Sequence, residues 1–157
     1  MRVEVNGVTK AFEATRTKAL DGLSLCFDPG EIVCVIGLNG AGKTTLLSCL
    51  AGILMPTEGK ILYDGKIFHR EDLELRRRMA FLSDFPMLYG RMTTLEHIAL
   101  ILRAYECELD TSTERRVMDA LEEFGMLDKA ETTLFNMSRG QIYKSGLIAQ
   151  IMVSPEF

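Results

Sequence analysis

The sequence predicts an α/β fold in which a sheet region, residues 1–89, is followed by a helical region, residues 90–153. Three observations support this prediction. Short apolar runs bounded by turn residues recur through the first region, as strands do. One of these runs leads through a glycine-rich stretch directly into a helical pattern. In the second region, apolar residues recur at helical spacing behind capping signals.

The first region contains candidate strands of two kinds. Residues 2–8 and 23–27 alternate between apolar and polar side chains, which is typical of half-buried strands, and residues 60–68 predict a hairpin. Residues 31–36 (EIVCVI) and 79–83 (MAFLS) are nearly continuous apolar runs, which predict strands buried on both faces, as in a parallel sheet. The combination predicts an antiparallel β-region beside a parallel core.

Turn residues and capping boxes mark where the turns and helices lie. Asp64-Gly65 supplies the positive φ angles of the tight hairpin turn. Gly52 closes the helix that follows the glycine-rich stretch, Gly125 closes a later helix, and Pro155 stops the last one. Three S/T-x-x-E/Q boxes predict helix starts: Thr93 with Glu96, Thr111 with Glu114, and Ser138 with Gln141.

Composition and charge limit the classes of function. A chain of 157 residues, 47% hydrophobic and 25% charged, is long enough for one globular domain with a core. The net charge of −4 argues against nucleic-acid binding, and the cluster Arg76, Arg77 and Arg78 is interpreted as a solvated patch. Cys26 and Cys34 are interpreted as small core hydrophobes of a reduced, cytoplasmic protein, since no metal-type spacing joins the four cysteines.

The glycine-rich stretch Gly37 to Thr44 (GLNGAGKT) matches the phosphate-binding loop pattern G-x-x-x-x-G-K-[ST]. The glycines permit a tight turn whose backbone N–H groups point inward to form an anion nest. Lys43 brings a positive charge to the β- and γ-phosphates, and Thr44 offers a hydroxyl to Mg²⁺. Because the stretch follows a buried-type strand and opens a helix, whose N-terminus favours phosphate, the sequence predicts a nucleotide-binding site.

The sequence around this loop closely resembles the ATP-binding subunits of ABC transporters. The resemblance rests on VIGLNGAGKTTLL, LAGILMPTEGKILYDGK and the upstream VTKAFEATRTKALDGLSLCFDPGEIV, and on MTTLEHIALILRAY and VMDALEEFGMLDKAE in the helical region. It covers residues 2–155 and implies a P-loop NTPase of ABC type: an antiparallel β-region, an incomplete parallel core sheet and a helical subdomain. The expected organisation is a single incomplete ABC ATP-binding domain over residues 1–157.

The resemblance implies ATP and Mg²⁺ as cofactors and assigns site residues. Phe12 stands at the aromatic position that stacks on adenine, with plain core packing as the alternative. MSRGQ, residues 137–141, resembles the signature LSGGQ, whose helix N-terminus would face the γ-phosphate of an ATP held by a second copy. The expected nucleotide contacts are Phe12, Gly37, Leu38, Asn39, Gly40, Ala41, Gly42, Lys43, Thr44 and Thr45, and the expected signature contacts are Ser138, Arg139, Gly140 and Gln141.

Two positions depart from the family's pattern and leave alternatives open. Asp84 stands where the family has a glutamine that reaches Mg²⁺ and the attacking water. It is either a metal ligand together with Thr44 or a solvated loop carboxylate. Arg139 replaces the first of two signature glycines. Either the charge of Arg139 would attract the γ-phosphate, or its bulk would obstruct close approach of the backbone.

A third departure concerns the strand ending in Asp-Glu that, in the family, holds Mg²⁺ and orients the attacking water. The chain reaches Phe157 where that strand would begin, and neither His69 nor His97 stands in place of the family's switch histidine. We therefore expect a chain that binds ATP but hydrolyses it poorly or not at all. We also expect self-association through residues 31–36 and 79–83, since each unpaired buried backbone group costs about 1–3 kcal/mol.

Two functions remain in competition. The first is the ATP-binding subunit of an ABC-type transporter, present as a fragment, a truncated gene product or half of a split protein. Its partners would be ATP, a second copy or a full-length homologous subunit, and a membrane-spanning subunit. The chain itself would be cytoplasmic and peripheral at the inner face of the membrane. The second is a non-hydrolysing nucleotide-binding regulatory protein that pairs with a full-length ATPase. A small P-loop kinase is a third interpretation, which the signature disfavours.

Overall fold

The computed structural model describes residues 1–12, 17–83 and 89–157 of the chain. These residues form two compact units, which we call the sheet unit (Met1–Arg76 with Phe157) and the helical unit (Arg77–Glu156). Within the described ranges, no helix combines the length and the apolar character needed to cross a membrane.

The sheet unit is built on a four-stranded antiparallel sheet in the order β2-β1-β3-β4. Val3 and Val5 of β1 are buried while Glu4 between them is partly exposed, which confirms the predicted alternation. In the register, Val5 lies opposite Leu25 of β2 and Ile61 of β3. The strands are β1 (Val3–Phe12), β2 (Thr17–Phe27), β3 (Glu58–Tyr63) and β4 (Lys66–Ile67).

The predicted hairpin and the predicted end of the first helix are both confirmed. Asp64 and Gly65 join β3 to β4 with φ angles of 49° and 77°, as a two-residue hairpin turn of this twist requires. Helix α1 (Lys43–Leu50) ends where Gly52 takes a positive φ. The Gly52 amide donates to the Cys49 carbonyl and the Ile53 amide to the Ser48 carbonyl, so the last turn is closed by a Schellman motif.

Tyr63, the last residue of β3, connects the sheet to α1. Its hydroxyl donates to the carbonyl of Leu50, the last residue of α1, and burial raises the pKa of this phenol far above its usual range. The rings of Phe68 and Phe157 pack edge-on against it at 5.6 and 6.1 Å between centroids. The hydroxyl thus supplies a donor at a helix end, where carbonyls lack intrahelical donors.

The predicted strands at residues 31–36 and 79–83 are not strands in the described chain. Ile32 and Ile36 are 101% and 89% exposed, so residues 31–36 do not form a buried core strand. A strand exists only beside a hydrogen-bonded neighbour, and none of the four described strands pairs with either segment. The parallel part of the predicted sheet is therefore absent from the described residues.

The interpretation of Cys26 and Cys34 as core residues is wrong, because both are exposed. Cys26 lies on β2, a strand at the edge of the sheet, and Cys34 lies in the segment that forms no strand. Cys49 of α1 is the cysteine that is buried. Periodicity identified the apolar character of these segments, but burial depends on what covers them.

The helical unit packs three helices around one apolar core. Helix α3 (Thr94–Ala104), helix α4 (Thr111–Glu123) and helix α5 (Arg139–Met152) supply most of this core, and the short helix α2 (Leu73–Arg77) lies at the boundary between the two units in sequence. The core residues of these helices include Ile98, Leu102, Val117, Leu121, Ile148 and Ala149. Two 3₁₀ turns, Leu127–Lys129 and Leu134–Asn136, connect α4 to α5.

Two of the three predicted capping boxes are present, and one is wrong. Thr93 with Glu96 caps α3 in both directions. Helix α4 is instead capped by Asp110, whose Oδ1 accepts from the Thr113 amide at 2.8 Å, so Thr111 is already helical. That hydrogen bond lowers the pKa of Asp110. Asp110 and Thr111 are adjacent residues of types that cap helices. Asp110 has the extended backbone of an N-cap residue, so it is the one that caps α4.

Replacing Tyr63 with Phe tests the link between the sheet and α1. The variant leaves the buried Leu50 carbonyl without its donor, so we expect a loss of about 1–3 kcal/mol in the free energy of unfolding by urea. Because burial raises the pKa of Tyr63, the wild-type advantage is full below the ordinary phenol pKa of about 10 and shrinks as the pH rises beyond it. Tyr143→Phe, on an exposed ring of α5, is the matched control and should change little. Equal unfolding midpoints for the two variants would contradict the assignment.

Candidate functional site

The glycine-rich loop ends at the N-terminus of α1, which no side chain of the described residues caps. Gly42 is the N-cap residue and carries no side chain, and the first turn holds no acidic residue. The first intrahelical bond runs from the Leu46 amide to the Gly42 carbonyl at 2.8 Å. The amides of Lys43 and Thr44 therefore have no acceptor within the helix. They remain donors at the positive end of the helix dipole, which is a favourable position for an anion.

The loop reaches this geometry because two of its glycines adopt left-handed backbone angles. Gly40 and Gly42 have φ angles of 83° and 88°. A Cβ built on Gly42 would lie 2.2 Å from the Ala19 carbonyl oxygen and 3.2 Å from the Leu20 side chain, both in β2. A Cβ on Gly40 would meet nothing within 4 Å. Strand β2 therefore contacts the loop at Gly42, and this contact leaves no room for a side chain at position 42.

Lys43 folds back over the loop. Its Nζ donates to the carbonyls of Gly37 and Leu38 at 2.7 and 2.8 Å. The ammonium group is thus held by two neutral acceptors, which a phosphate, as a charged acceptor, outcompetes in hydrogen-bond strength. Thr44, the next residue, is exposed, while Thr45 is partly buried.

The remaining loop residues are open to solvent. Leu38 is 85% exposed, and Gly37, Asn39, Gly40 and Ala41 are also exposed. A cavity of about 320 Å³ borders Gly42 and Lys43, and its walls are mostly apolar side chains such as Leu23 and Ile36. Such walls offer few donors to an anion, so the loop amides and Lys43 are the groups at this cavity suited to phosphate.

The predicted adenine contact, Phe12, and the predicted metal ligand, Asp84, lie outside this loop. Phe12 ends β1 with 37% of its surface exposed, and the Lys10 ammonium lies 5.7 Å from its ring centroid. Lys10 is held there by a hydrogen bond to the Met55 carbonyl at 2.7 Å. The stacking of Phe12 on adenine stays a prediction. Asp84, the predicted metal ligand, lies outside the described residues, so its role also stays a prediction.

The predicted signature segment forms the N-terminus of α5 in the helical unit. The Ser138 hydroxyl accepts from the Gln141 amide at 3.3 Å, and the Gln141 side-chain oxygen accepts from the Ser138 amide at 2.9 Å. The predicted capping box is therefore confirmed. Ser138, Arg139 and Gly140 are exposed, and a Cβ on Gly140 would meet nothing within 4 Å. The hydroxyl proton of Ser138 has no acceptor among the described residues, so it can be donated to a ligand.

Lys144, one turn further along α5, does not extend this polar surface. Its Nζ donates to the carbonyl of Phe124 at 2.7 Å, at the C-terminal end of α4. A cation at this end of a helix satisfies an orphan carbonyl and complements the dipole. Lys144 therefore contributes to packing α5 against α4.

The histidines and acidic residues form no metal centre in the described ranges. No group of three or more His, Cys, Asp or Glu side chains lies close enough there to hold an ion. His97 is buried in α3, where burial lowers its pKa, and His69 is exposed. For Mg²⁺, the described chain thus offers the hydroxyl of Thr44 beside a phosphate-type loop.

Sequence reasoning missed the residues that support the loop. Ala19 and Leu20 contact Gly42 from β2, and Tyr63 fixes the far end of α1. None of these positions carries a local motif, because each acts through a contact with a residue distant in sequence.

Comparison with known proteins places this geometry in context. A family model described as "ABC transporter" matches residues 20–157. The SkfA peptide export ATP-binding protein SkfE of Bacillus subtilis is 33% identical over 151 residues, which cover 94% of this chain and 61% of the relative. The ABC-type transporter ATP-binding protein EcsA of the same organism is 31% identical over 141 residues, covering 90% of this chain and 57% of the relative.

A solved structure described as the ATP-binding subunit of an ABC transporter agrees with these relatives. It superposes with a TM-score of 0.86 at 29% identity and covers 99% of this chain and 63% of its own. The predicted fold class is confirmed by this similarity. The chain spans about three fifths of the length of these matched proteins.

Alanine substitutions at Gly42 and Gly40 separate two requirements on the loop: a positive φ angle, and space for the close contact with β2. Both variants place a side chain at a positive φ, which costs about 1–2 kcal/mol. Gly42→Ala must also displace the Ala19 carbonyl, so we expect its unfolding midpoint in urea to fall further than that of Gly40→Ala. Identical midpoints would show that β2 does not support the loop at this point.

Proposed function

Because the chain belongs to the ABC transporter family, we propose that it is the ATP-binding part of a transporter subunit, which binds ATP with Mg²⁺ and energises transport through ATP-driven pairing. The observation that carries this proposal is the uncapped N-terminus of α1, with the ammonium of Lys43 held over the loop that leads into it.

In this proposal, the β- and γ-phosphates of ATP lie at the loop. The amides of Lys43, Thr44 and Thr45 donate to phosphate oxygens, and the helix dipole adds attraction. The Lys43 ammonium group exchanges its two carbonyl acceptors for phosphate oxygens, so it donates to the anion instead of to the loop backbone.

Thr44 and Asp84 are the residues proposed to hold Mg²⁺. The exposed hydroxyl of Thr44 suits a hard cation that binds oxygen ligands and keeps several waters. When bound, the metal neutralises charge that develops on the phosphates. Asp84 would add a carboxylate ligand, and its removal should affect magnesium dependence more than nucleotide binding without the metal.

The signature segment is proposed to contact an ATP bound by a second copy or by a homologous ATPase subunit. The unused proton of Ser138 and the exposed N-terminus of α5 are suited to the γ-phosphate. Arg139, which is exposed at the same end, adds a positive charge near that position. A membrane-spanning subunit is the further partner that this role requires.

Hydrolysis is a separate part of the proposal. The loop amides, Lys43 and Thr44 supply groups that bind a nucleotide. The residues that this proposal assigns to the nucleotide include no base for the attacking water. We propose that this 157-residue polypeptide, tested by itself, binds ATP without efficient turnover.

Lys43→Ala tests the nucleotide site. Loss of charge-assisted hydrogen bonds to phosphate, worth about 1.5–3 kcal/mol, should weaken ATP binding about tenfold or more, as measured by calorimetry with Mg²⁺ present. Lys60→Ala, which removes an exposed lysine of β3, is the control and should bind ATP like the wild type.

The same samples test turnover. Phosphate release should stay near the background for wild type and Lys43→Ala. Unchanged ATP affinity in Lys43→Ala would refute the proposed site, and steady turnover that this substitution abolishes would refute the proposed lack of hydrolysis.

A further inference from the structure

A buried polar cluster lies beside the signature segment in the helical unit. It consists of Thr94 at the start of α3, Met137 immediately before α5, and Ser145 within α5. Thr94 and Ser145 are 0% exposed and Met137 is 8% exposed. The Thr94 and Ser145 hydroxyl oxygens lie 3.4 Å apart, and they lie 3.9 and 3.8 Å from the Met137 sulfur.

One of the two hydroxyl protons in this cluster can be assigned, and the other has two acceptors within reach. Ser145 Oγ lies 3.0 Å from the Gln141 carbonyl, the closest acceptor, so its proton goes there. Thr94 then donates to Ser145 Oγ or to the Met137 sulfur, which is a weak acceptor. The Ser145 hydroxyl is therefore hydrogen-bonded while the Gln141 carbonyl keeps its position, and the Thr94 hydroxyl is hydrogen-bonded through Ser145 or Met137. Buried hydroxyl groups that lose their partners carry a desolvation cost, so the cluster resists displacement.

The cluster contacts the signature segment at both of its ends. Met137 directly precedes Ser138, the N-cap residue, and its side chain belongs to the apolar core. Gln141, the last signature residue, accepts from Ser145 through its backbone carbonyl. Ile142, which follows, packs against the same core. A residue before the N-cap and one in the first turn, packed on a common core, fix the angle at which the chain enters a helix.

Backbone hydrogen bonds tie Thr94 to the chain that leads into the signature. The Thr94 amide donates to the Thr132 carbonyl at 3.3 Å, and the Leu134 amide donates to the Met92 carbonyl at 2.9 Å. Thr93 and Thr133 form a β-bridge between these contacts. The hydroxyl of Thr94 therefore projects into the cluster from a backbone position that does not depend on that hydroxyl.

We propose that Thr94 and Ser145 are positioning residues for the signature segment: their hydroxyls hold Met137 and the Gln141 carbonyl so that Ser138 and the first amides of α5 face outward in a fixed arrangement. The part of this proposal that concerns binding rests on the proposed function, because the outward surface is the one that would contact a partner's ATP. The part that concerns the geometry of α5 stands without it.

Thr94→Val and Ser145→Ala remove the two hydroxyls, and Thr94→Ser keeps one. Val117→Ala, in the apolar core of the same unit, is the control for a general loss of stability. Hydrogen exchange at the Gln141 and Ile142 amides, divided by exchange at the buried Ile148 amide of the same helix, isolates the start of α5 from global unfolding. We expect this ratio to rise about two- to tenfold in Thr94→Val and Ser145→Ala, to stay at the wild-type value in Thr94→Ser, and not to rise in Val117→Ala.

An unchanged ratio in Thr94→Val and Ser145→Ala, or an equal rise in Val117→Ala, would overturn the positioning role. A second readout is sedimentation of the full chain with ATP and Mg²⁺. Association should weaken about two- to tenfold in Thr94→Val and recover in Thr94→Ser, while calorimetric ATP affinity of every variant equals that of wild type. If ATP does not strengthen association of the wild-type chain, the proposed pairing is overturned. The exchange result then decides the positioning role by itself.

Discussion

The start of α1 is a set of amide donors for which the described residues supply no side-chain cap. Ser, Thr, Asp and Asn side chains usually accept from such amides, but Gly42 occupies the capping position, and the Ala19 carbonyl lies where a side chain of this residue would be. Strand β2 therefore excludes an internal cap, and Tyr63 anchors the other end of the same helix. The consequence is a fixed, positively polarised surface that an anion can complete.

The second exposed helix start follows the opposite rule. Helix α5 has a full capping box, so the Gln141 amide is already satisfied by Ser138. What remains available is the Ser138 hydroxyl proton and the dipole of a helix held by a buried cluster. An uncapped start suits tight binding of phosphate within one subunit, whereas a capped and rigid start suits a surface that contacts a ligand held elsewhere. The two helix starts are thus suited to different proposed roles for a physical reason.

Local sequence determined which parts could be predicted. The loop, the hairpin turn at Asp64 and the boxes at Thr93 and Ser138 depend on residues close in the chain, so short patterns identify them. Residues 31–36 have the composition of a buried strand, but a strand needs a neighbour that composition does not supply. The support of Gly42 by Ala19 and the Thr94–Ser145 contact join residues distant in sequence. The α4 cap was assigned to the wrong member of two adjacent capping-type residues, Asp110 and Thr111.

The most direct test of this account is the exchange of individual amides when ATP and Mg²⁺ are added to the chain. We predict that protection rises at Lys43, Thr44 and Thr45, whose amides lie at the uncapped start of α1. AMP, which lacks the β- and γ-phosphates, should produce little protection there. If ATP does not change the exchange rates of these amides, or if AMP protects them equally, the claim that the start of α1 binds the phosphates of ATP is contradicted.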